Sequence, residues 1–578
     1  MRLFHFSLGL AAAVAAGSLT TIAKAQNCGP ATDVILSDLS GEQVQPKVVD
    51  AADYATWNSW FDNSAGGYDV RLQRLDAQGQ ETFAHNGLLI ADRSFSSTQD
   101  YDLAVDGGNS ALLIFRDDRF GGTKVTAQLV KSTGAMPWGA NGIQFGDGSA
   151  FVANPKITPT FEGNIVVGWI NDAEIHLQRL DATGNVLWPN DVIISDPNAS
   201  LSLCDLEGSH IGGMQDDSVI VSWVSSTSFN APKHLYAQRV AADGSFQWGS
   251  GGVAVFDGGS LQFGNFPPLV ADPFGGAVFA WYNTASPNLE CLVQHIESDG
   301  TEYFPHNGIA VSTDAAHDRV SPRAILDGTS NTIHVFWMEE SNAQANRGVY
   351  GQAIDASGNR LWGSTGKVIR PLSGSTDYRS INATFAGRVM VSFIESAGFG
   401  NDSVRAAGLD SEGNFIWSPE IVDVTPGGLE RSRLLASRLG GETAMLVWQH
   451  GGTGASDIHA QKIRTGTGTL GFVPIDLVVS GACPGQLHLV ARDATPGGRV
   501  AFLYARGMGQ FVIPNNQPCH GTTLCLNGTV QVGAIATANG SGVAILNPHV
   551  PAFACGGRVL LQAIDLGACA TSRAIPTP

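Results

Sequence analysis

Charge is scarce in this chain and unevenly signed. Only 15% of its 578 residues are Asp, Glu, Lys or Arg, and 52 acids stand against 33 bases. A disordered chain would carry more charge and less apolar content than the 43% hydrophobic residues found here. A formal charge of −19 repels nucleic acid and anionic membranes, so neither is expected as a partner. Helical periodicity is missing over any useful length. Beyond the N-terminus no segment approaches the roughly 20 apolar residues that span a bilayer, and membrane insertion is not expected. Several motifs are also missing: there is no Cys-x-x-Cys pair to hold zinc, no His-Glu-x-x-His, and no Gly-x-Ser-x-Gly nucleophile elbow. Gly466 to Gly471 matches the dinucleotide fingerprint by letter, but without the strand-turn-helix context that binds pyrophosphate.

Glycine, by contrast, is abundant: 70 residues, with 26 prolines, predict many turns. The first 25 residues read as a secretory leader, with Arg2, an apolar stretch from Leu8 to Leu19, and Ala23-Lys24-Ala25 before Gln26. Its removal would shift the formal charge from −19 to −21, since Arg2 and Lys24 go and no acid does. A freely released, extracellular, cell-surface or periplasmic protein is expected. In such an oxidising compartment the eight cysteines (28, 204, 291, 483, 519, 525, 555 and 569) are expected as disulfides, with connectivity open.

The aromatic residues keep a rhythm. One position ends an apolar run at Trp60, Phe115, Trp169, Trp223, Trp281, Trp337, Phe393 and Trp448, spaced 54 to 58 residues apart. A second follows a glycine by four residues, at Phe83, Trp138, Trp188, Trp248, Phe304, Trp362 and Trp417; Trp57 alone among the 12 tryptophans stands outside both. The fifth unit shows the grammar: strands near 268–272, 277–281, 292–296 and 308–312, separated by Pro-Phe-Gly-Gly and Glu-Ser-Asp-Gly turns. Four short strands repeated eight times predict an all-β, eight-bladed β-propeller over 26–467. The eighth unit lacks a good fourth strand, and Asp33 to Asp38 resembles the missing one; it is expected to close the ring. The tryptophans at both positions are expected to be mortar between blades. A glutamine six residues before the turn glycine (73, 128, 178, 238, 294 and 352) is expected to bond to backbone.

The run Asp181-Ala182-Thr183-Gly184-Asn185-Val186-Leu187-Trp188 resembles the tryptophan-docking motif of the quinoprotein eight-bladed propellers, although aspartate stands one residue nearer the glycine. The resemblance covers roughly 31–467 and implies the fold. Adjacent cysteines, which those dehydrogenases carry over their cofactor, are missing, so PQQ is not expected. The sialidase Asp-box is a looser likeness, with aspartate and tryptophan further apart here.

From about Thr469 the rhythm stops. Short strands between Gly and Pro turns predict a small disulfide-braced β-sandwich over 468–578. Cys483-Pro-Gly, Cys519-His-Gly-Thr, Cys555-Gly-Gly, Gln562-Ala-Ile-Asp and Cys569-Ala-Thr-Ser resemble a C-terminal module of secreted planctomycete-like and myxobacterium-like proteins. The resemblance implies that Cys483, Cys519, Cys555 and Cys569 make two bridges.

Two residues beyond each first-position aromatic stands a polar side chain: Asp62, Asp117, Asn171, Ser225, Asn283, Glu339, Glu395 and His450, with Asp118, Asp172, Glu174 and Glu340 nearby. Such a ring of oxygens suits calcium or sugar hydroxyls, with Asp62, Asp117, Asn171, Glu339 and Glu395 the candidates. The same residues also suit plain turn formation at strand ends. Regular repetition favours a monomeric, non-catalytic interaction or surface scaffold, without a resident cofactor, that binds a glycan or protein on one face. The alternative is a glycoside hydrolase or polysaccharide lyase with acids on that face.

Overall fold

The computed structural model describes residues 33–76, 79–98, 100–209, 217–284, 288–341, 344–385, 388–437, 443–471 and 475–578. The expected leader and Cys28 lie outside them. Among the described residues the only helical element is a single 3-10 turn, Ala552–Ala554, and the rest of the regular structure is strand. Contacts divide them into two compact units, 33–471 and 475–578.

Residues 33–471 form eight four-stranded antiparallel sheets in a β-propeller architecture. In the fifth sheet Leu269–Ala271, Ala277–Tyr282, Cys291–Ile296 and Ile309–Ala310 pair in chain order. Short Gly-rich turns leave a strand no partner but its chain neighbour, which fixes this order. The second strand of each sheet is mostly buried, and in Thr56–Asp62 all seven residues are buried. Side chains alternate across a strand, so one strand serves two neighbours. Leu113 and Phe115 pack with Trp57 and Phe61 of the preceding sheet, while Leu112 and Ile114 pack with Val152 and Val167 of the following one.

Eight apolar clusters result, each shared by two successive sheets. The last joins Met445, Val447 and Ile458 to Val48, Trp60 and Leu75, bringing the final sheet against the first. That final sheet takes its fourth strand from the N-terminal side: Val34–Ser37 runs antiparallel to Asp457–Arg464, with Val34 opposite Ala460 and Ile35 opposite His459.

Both aromatic positions meet at these interfaces. Trp417 of the seventh sheet and Trp448 of the eighth share one cluster, as do Trp188 with Trp223 and Trp248 with Trp281. Trp138, Trp188, Trp248, Trp362 and Trp417 each donate their indole N–H to a turn carbonyl of the next sheet, at Ala182, Ala242, Ser298, Ser411 and Thr465, over 2.8 to 3.3 Å. Trp169 and Trp337 are fully buried in the same way as Trp281 and Trp448. The turn glycine forms the floor beneath the indole. A Cβ on Gly413, whose φ is +79°, would sit 3.0 Å from the Trp362 ring, so size and backbone both demand glycine there. The repeated glutamines are buried and bonded to backbone. Gln238 donates to the Gly249 carbonyl at 2.6 Å and accepts from the Arg239 and Trp248 amides at 3.0 and 2.8 Å.

In residues 475–578 one sheet contains Asp476–Gly481, Gly485–Arg492 and Ala544–Leu546, with His549–Val550 on its edge. Another contains Gln531–Thr537, Arg499–Ala505, Leu560–Asp565 and Ile575–Pro576, and the two share one core around Leu477, Leu489, Phe502 and Ala563. Disulfides join Cys483 to Cys555 and Cys519 to Cys569. The expectation that all eight cysteines pair is corrected at two of them. Cys204 and Cys291 are buried free thiols, sealed in separate apolar clusters, and burial pushes both thiols up.

Gly413→Ala is expected to cost about 3 kcal/mol of stability, from the left-handed backbone penalty plus overpacking against Trp362. Gly363→Ala, at a φ of +86° with open space around it, should lose about 1 kcal/mol. Equal losses in chemical denaturation would show that the indole does not bear on that turn.

Candidate functional site

The eight polar positions stand at or near the C-terminal end of the second strand of every sheet, so they gather at one end of the sheets. Their surroundings differ. Asp62 is fully buried and accepts from Arg71 Nε at 2.5 Å, Gln43 Nε2 at 3.1 Å, and the Ser64 amide and hydroxyl at 3.0 and 2.9 Å. Asp117, also fully buried, accepts from Arg119 Nε and Nη2 at 2.9 and 2.7 Å and from Thr126 Oγ1 at 2.7 Å. Burial alone would raise its carboxyl, but those bonds hold it below the ordinary carboxylate range. The structure therefore commits Asp62 and Asp117 to internal pairs with arginine and leaves no outward ring of oxygens at these two positions.

Asn171 closes a tight turn opposite Glu174, and the Asn283 carbonyl accepts from the Glu290 amide at 3.2 Å. Ser225 faces His234 across the strands. Among the neighbouring acids, Asp118 accepts from the Ser94 amide at 3.1 Å, Asp172 from the Phe151 amide at 3.0 Å, and Glu174 lies 3.8 Å from His176. The bonds of Asp118 and Asp172 tie separate loops together, while the turn-forming bonds, from an amide two residues on, are those of Asp62 and Asp117. Glu395 lies between Arg370 Nε at 2.8 Å and Arg405 Nη2 at 3.2 Å.

Convergence occurs at the sixth sheet. Glu339 is buried, accepts from the Trp337 indole at 2.6 Å and lies 3.5 Å from Arg319 Nε. His317 Nδ1 faces Asp314 Oδ2 at 2.7 Å and Glu339 Oε1 at 3.6 Å. Burial raises the Glu339 carboxyl, partly offset by the Trp337 bond and the Arg319 charge, while the Ala316 amide and His317 hold Asp314 below the ordinary range despite partial burial. His317 is 29% exposed and Asp314 24%, against 3% for Glu339, so the imidazole and one carboxylate are open to a ligand and the second carboxylate lies beneath. Next to them Arg347 bonds Glu340 at 3.1 Å and Asp377 at 2.8 Å.

Both carboxylates stand on the Nδ1 side of the His317 ring, Asp314 within hydrogen-bond distance and Glu339 just beyond it. Asp314, His317 and Arg319 were not singled out from the sequence. Asp314 lies just before the first strand, His317–Asp327, which contains His317 and Arg319, and the cross-strand register that sets Arg319 opposite Glu339 brings them to the second. The spacing Asp314-x-x-His317-x-Arg319 at the start of a strand is the one sequence signal that could have found them.

No family model matches the chain, and no curated protein matches it by sequence. Solved structures similar to it include the Dos1 propeller, 14% identical over 76% of this chain and 96% of that one, with a TM-score of 0.43. Another is an ulvan lyase representing a new polysaccharide lyase family, 10% identical over 76% and 97%, with a TM-score of 0.40. A third is the Penicillium chrysogenum alpha-L-arabinanase complexed with arabinobiose, 13% identical over 54% and 94%, with a TM-score of 0.31. The expectation that the chain is not an enzyme is corrected. Propellers named as glycan-active enzymes are among the structures it is similar to, and two of its polar positions, Glu339 and His450, each join a separate acid–imidazole group instead of forming an even ring.

Asp117 also gives a pH prediction. Its folded-state carboxyl is depressed, so its stabilisation is complete above the unfolded value near ~3.9 and is lost as pH falls through the lower folded value. Asp117→Asn should therefore be less stable than the parent at pH 6, and the gap should narrow as pH falls below about 4. A gap of constant size in denaturation curves at the two pH values would refute the assignment.

Proposed function

We propose that this chain is a secreted carbohydrate-active enzyme, and specifically a lyase for a uronate-bearing polysaccharide, working at the sixth sheet of an eight-bladed ring. The observation that carries this reading is the placement of His317 between Asp314 and Glu339. A glycoside hydrolase needs two carboxyls facing each other across the sugar, roughly 5 to 9.5 Å apart. Here an imidazole occupies the space between them, which suits removal of a proton from carbon. Such a proton is acidic enough only beside a carboxylate, which is why the sugar must be a uronate. His317 Nε2 takes the C5 proton, the C5–H electrons form the C4=C5 double bond as the C4–O bond breaks, and the departing oxygen takes a proton from the imidazolium or from water to become the new reducing end. Asp314 fixes the tautomer and steadies the imidazolium, and buried Glu339 and Arg319 hold the group in place. The eight sheets and eight shared clusters support the eight-bladed reading, and the facing sheets with two disulfides at 475–578 support a small sandwich domain. Calcium at Asn171 is a subsidiary proposal, since that side chain is not fully buried, whereas Glu395, held between two guanidiniums, is not a cation candidate.

A screen of acidic polysaccharides is expected to give ultraviolet absorbance from unsaturated uronate ends. His317→Ala should lower that rate by about 100-fold or more, and Glu339→Gln by less. New reducing ends without the absorbance would make the enzyme a hydrolase, and full activity in His317→Ala would remove the proposed base.

A further inference from the structure

A second convergent group lies at the eighth sheet, on the strand that closes the propeller. Asp33 immediately precedes the closing strand, His459 is on the third strand, and His450 ends the second. His459 Nδ1 and Asp33 Oδ2 are 2.6 Å apart. The His450 and His459 rings stack with centroids 4.0 Å apart and planes inclined by 14°. One donor atom from each of the three residues lies within 4.8 Å of the other two. His450 Nδ1 is buried and has no hydrogen-bond partner, although the ring sits among strands whose backbone is otherwise paired. An orphaned imidazole nitrogen beside a second imidazole and a carboxylate calls for an explanation that packing alone does not give.

We propose that Asp33, His450 and His459 bind one zinc-class divalent cation, which fastens the closing strand to the last sheet. Two imidazoles and one carboxylate make a borderline donor set, matched to zinc and its first-row neighbours and poorly matched to calcium or magnesium, which prefer six or more oxygens. Charge around the group is mixed, since Arg431 lies close enough to act on both His450 and Asp33. Asp457 stands opposite His450 across the strands, and Arg431, on the other side, turns its guanidinium to the Asp402 carbonyl and to Thr425 at 3.1 Å. Coordination would give His450 Nδ1 its missing partner. It would also tie residue 33 to residues 450 and 459, converting binding energy into resistance of the ring to opening.

The test uses the full chain stripped of metal with a chelator. Zinc chloride is expected to bind at one equivalent by calorimetry and to raise the melting temperature by several degrees, with no response to calcium chloride. His450→Gln should fold, because that ring end is partly exposed, and should weaken zinc binding by about tenfold or more; Asp33→Asn should do the same. Cobalt in place of zinc should give intense visible bands in the parent that fade in His450→Gln, a signature that a folding defect would not produce. Absence of zinc binding by the folded parent would overturn the proposal. Zinc uptake unchanged in both variants would overturn it too, placing the metal at surface imidazoles such as His85 or His306.

Discussion

An indole of one sheet lying on the glycine turn of the next is the contact on which the rest of the structure depends. Trp362 over Gly413 and Trp417 over Gly468 show it most plainly, each with its N–H anchored on a carbonyl of the same turn. Burying roughly 150 to 250 Å² of ring at about 25 cal/mol per Å² gives an upper bound near 4 to 6 kcal/mol per interface. From the other side the second-strand aromatic, Phe393 or Trp448, fills the same seam. With both flanks of every sheet used for adhesion, polar chemistry is displaced to the strand ends. That is why Asp62, Glu339, Glu395 and His450 occupy equivalent places in their sheets while doing different work.

Much of this architecture is legible in the sequence, because its determinants are local and recur. The turn glycine, the aromatic four residues on and the glutamine six residues back are all set by one hairpin, so each copy repeats the same spacing. The closing strand is legible for the same reason: Asp33 to Asp38 carries the alternation of a fourth strand, and Val34–Ser37 occupies that place. Mortar and machinery, however, look alike in one dimension. Asp117 is spent on Arg119 only two residues away, and Asp62 on Arg71 nine residues away. Nothing in the spacing separates these from Glu339, which meets His317 only because the first and second strands of its sheet pair in one particular register. The free thiols of Cys204 and Cys291 are equally opaque, since their fate rests on which apolar cluster each enters.

A wide contrast in charge environment follows. At Asp62 and Asp117 arginine neutralises a buried acid and the pair is inert, a cost of desolvation met by dense hydrogen bonding. At Glu339 the buried acid is held by Arg319 and Trp337 and faces a neighbouring imidazole that reaches solvent. One repeat unit thus supports two outcomes, and the difference lies in what the approach to the first strand contributes.

Joining residue 34 to residue 460 has a consequence for how the molecule is made. The strand on the N-terminal side of the sheets is used last: it has no partner until more than four hundred further residues have been produced. Until then the earlier sheets can stack in order of appearance, but the growing arc keeps two raw flanks. Assembly therefore ends in a single step of very long sequence separation, slow by its loop-closure entropy and all-or-none in its result.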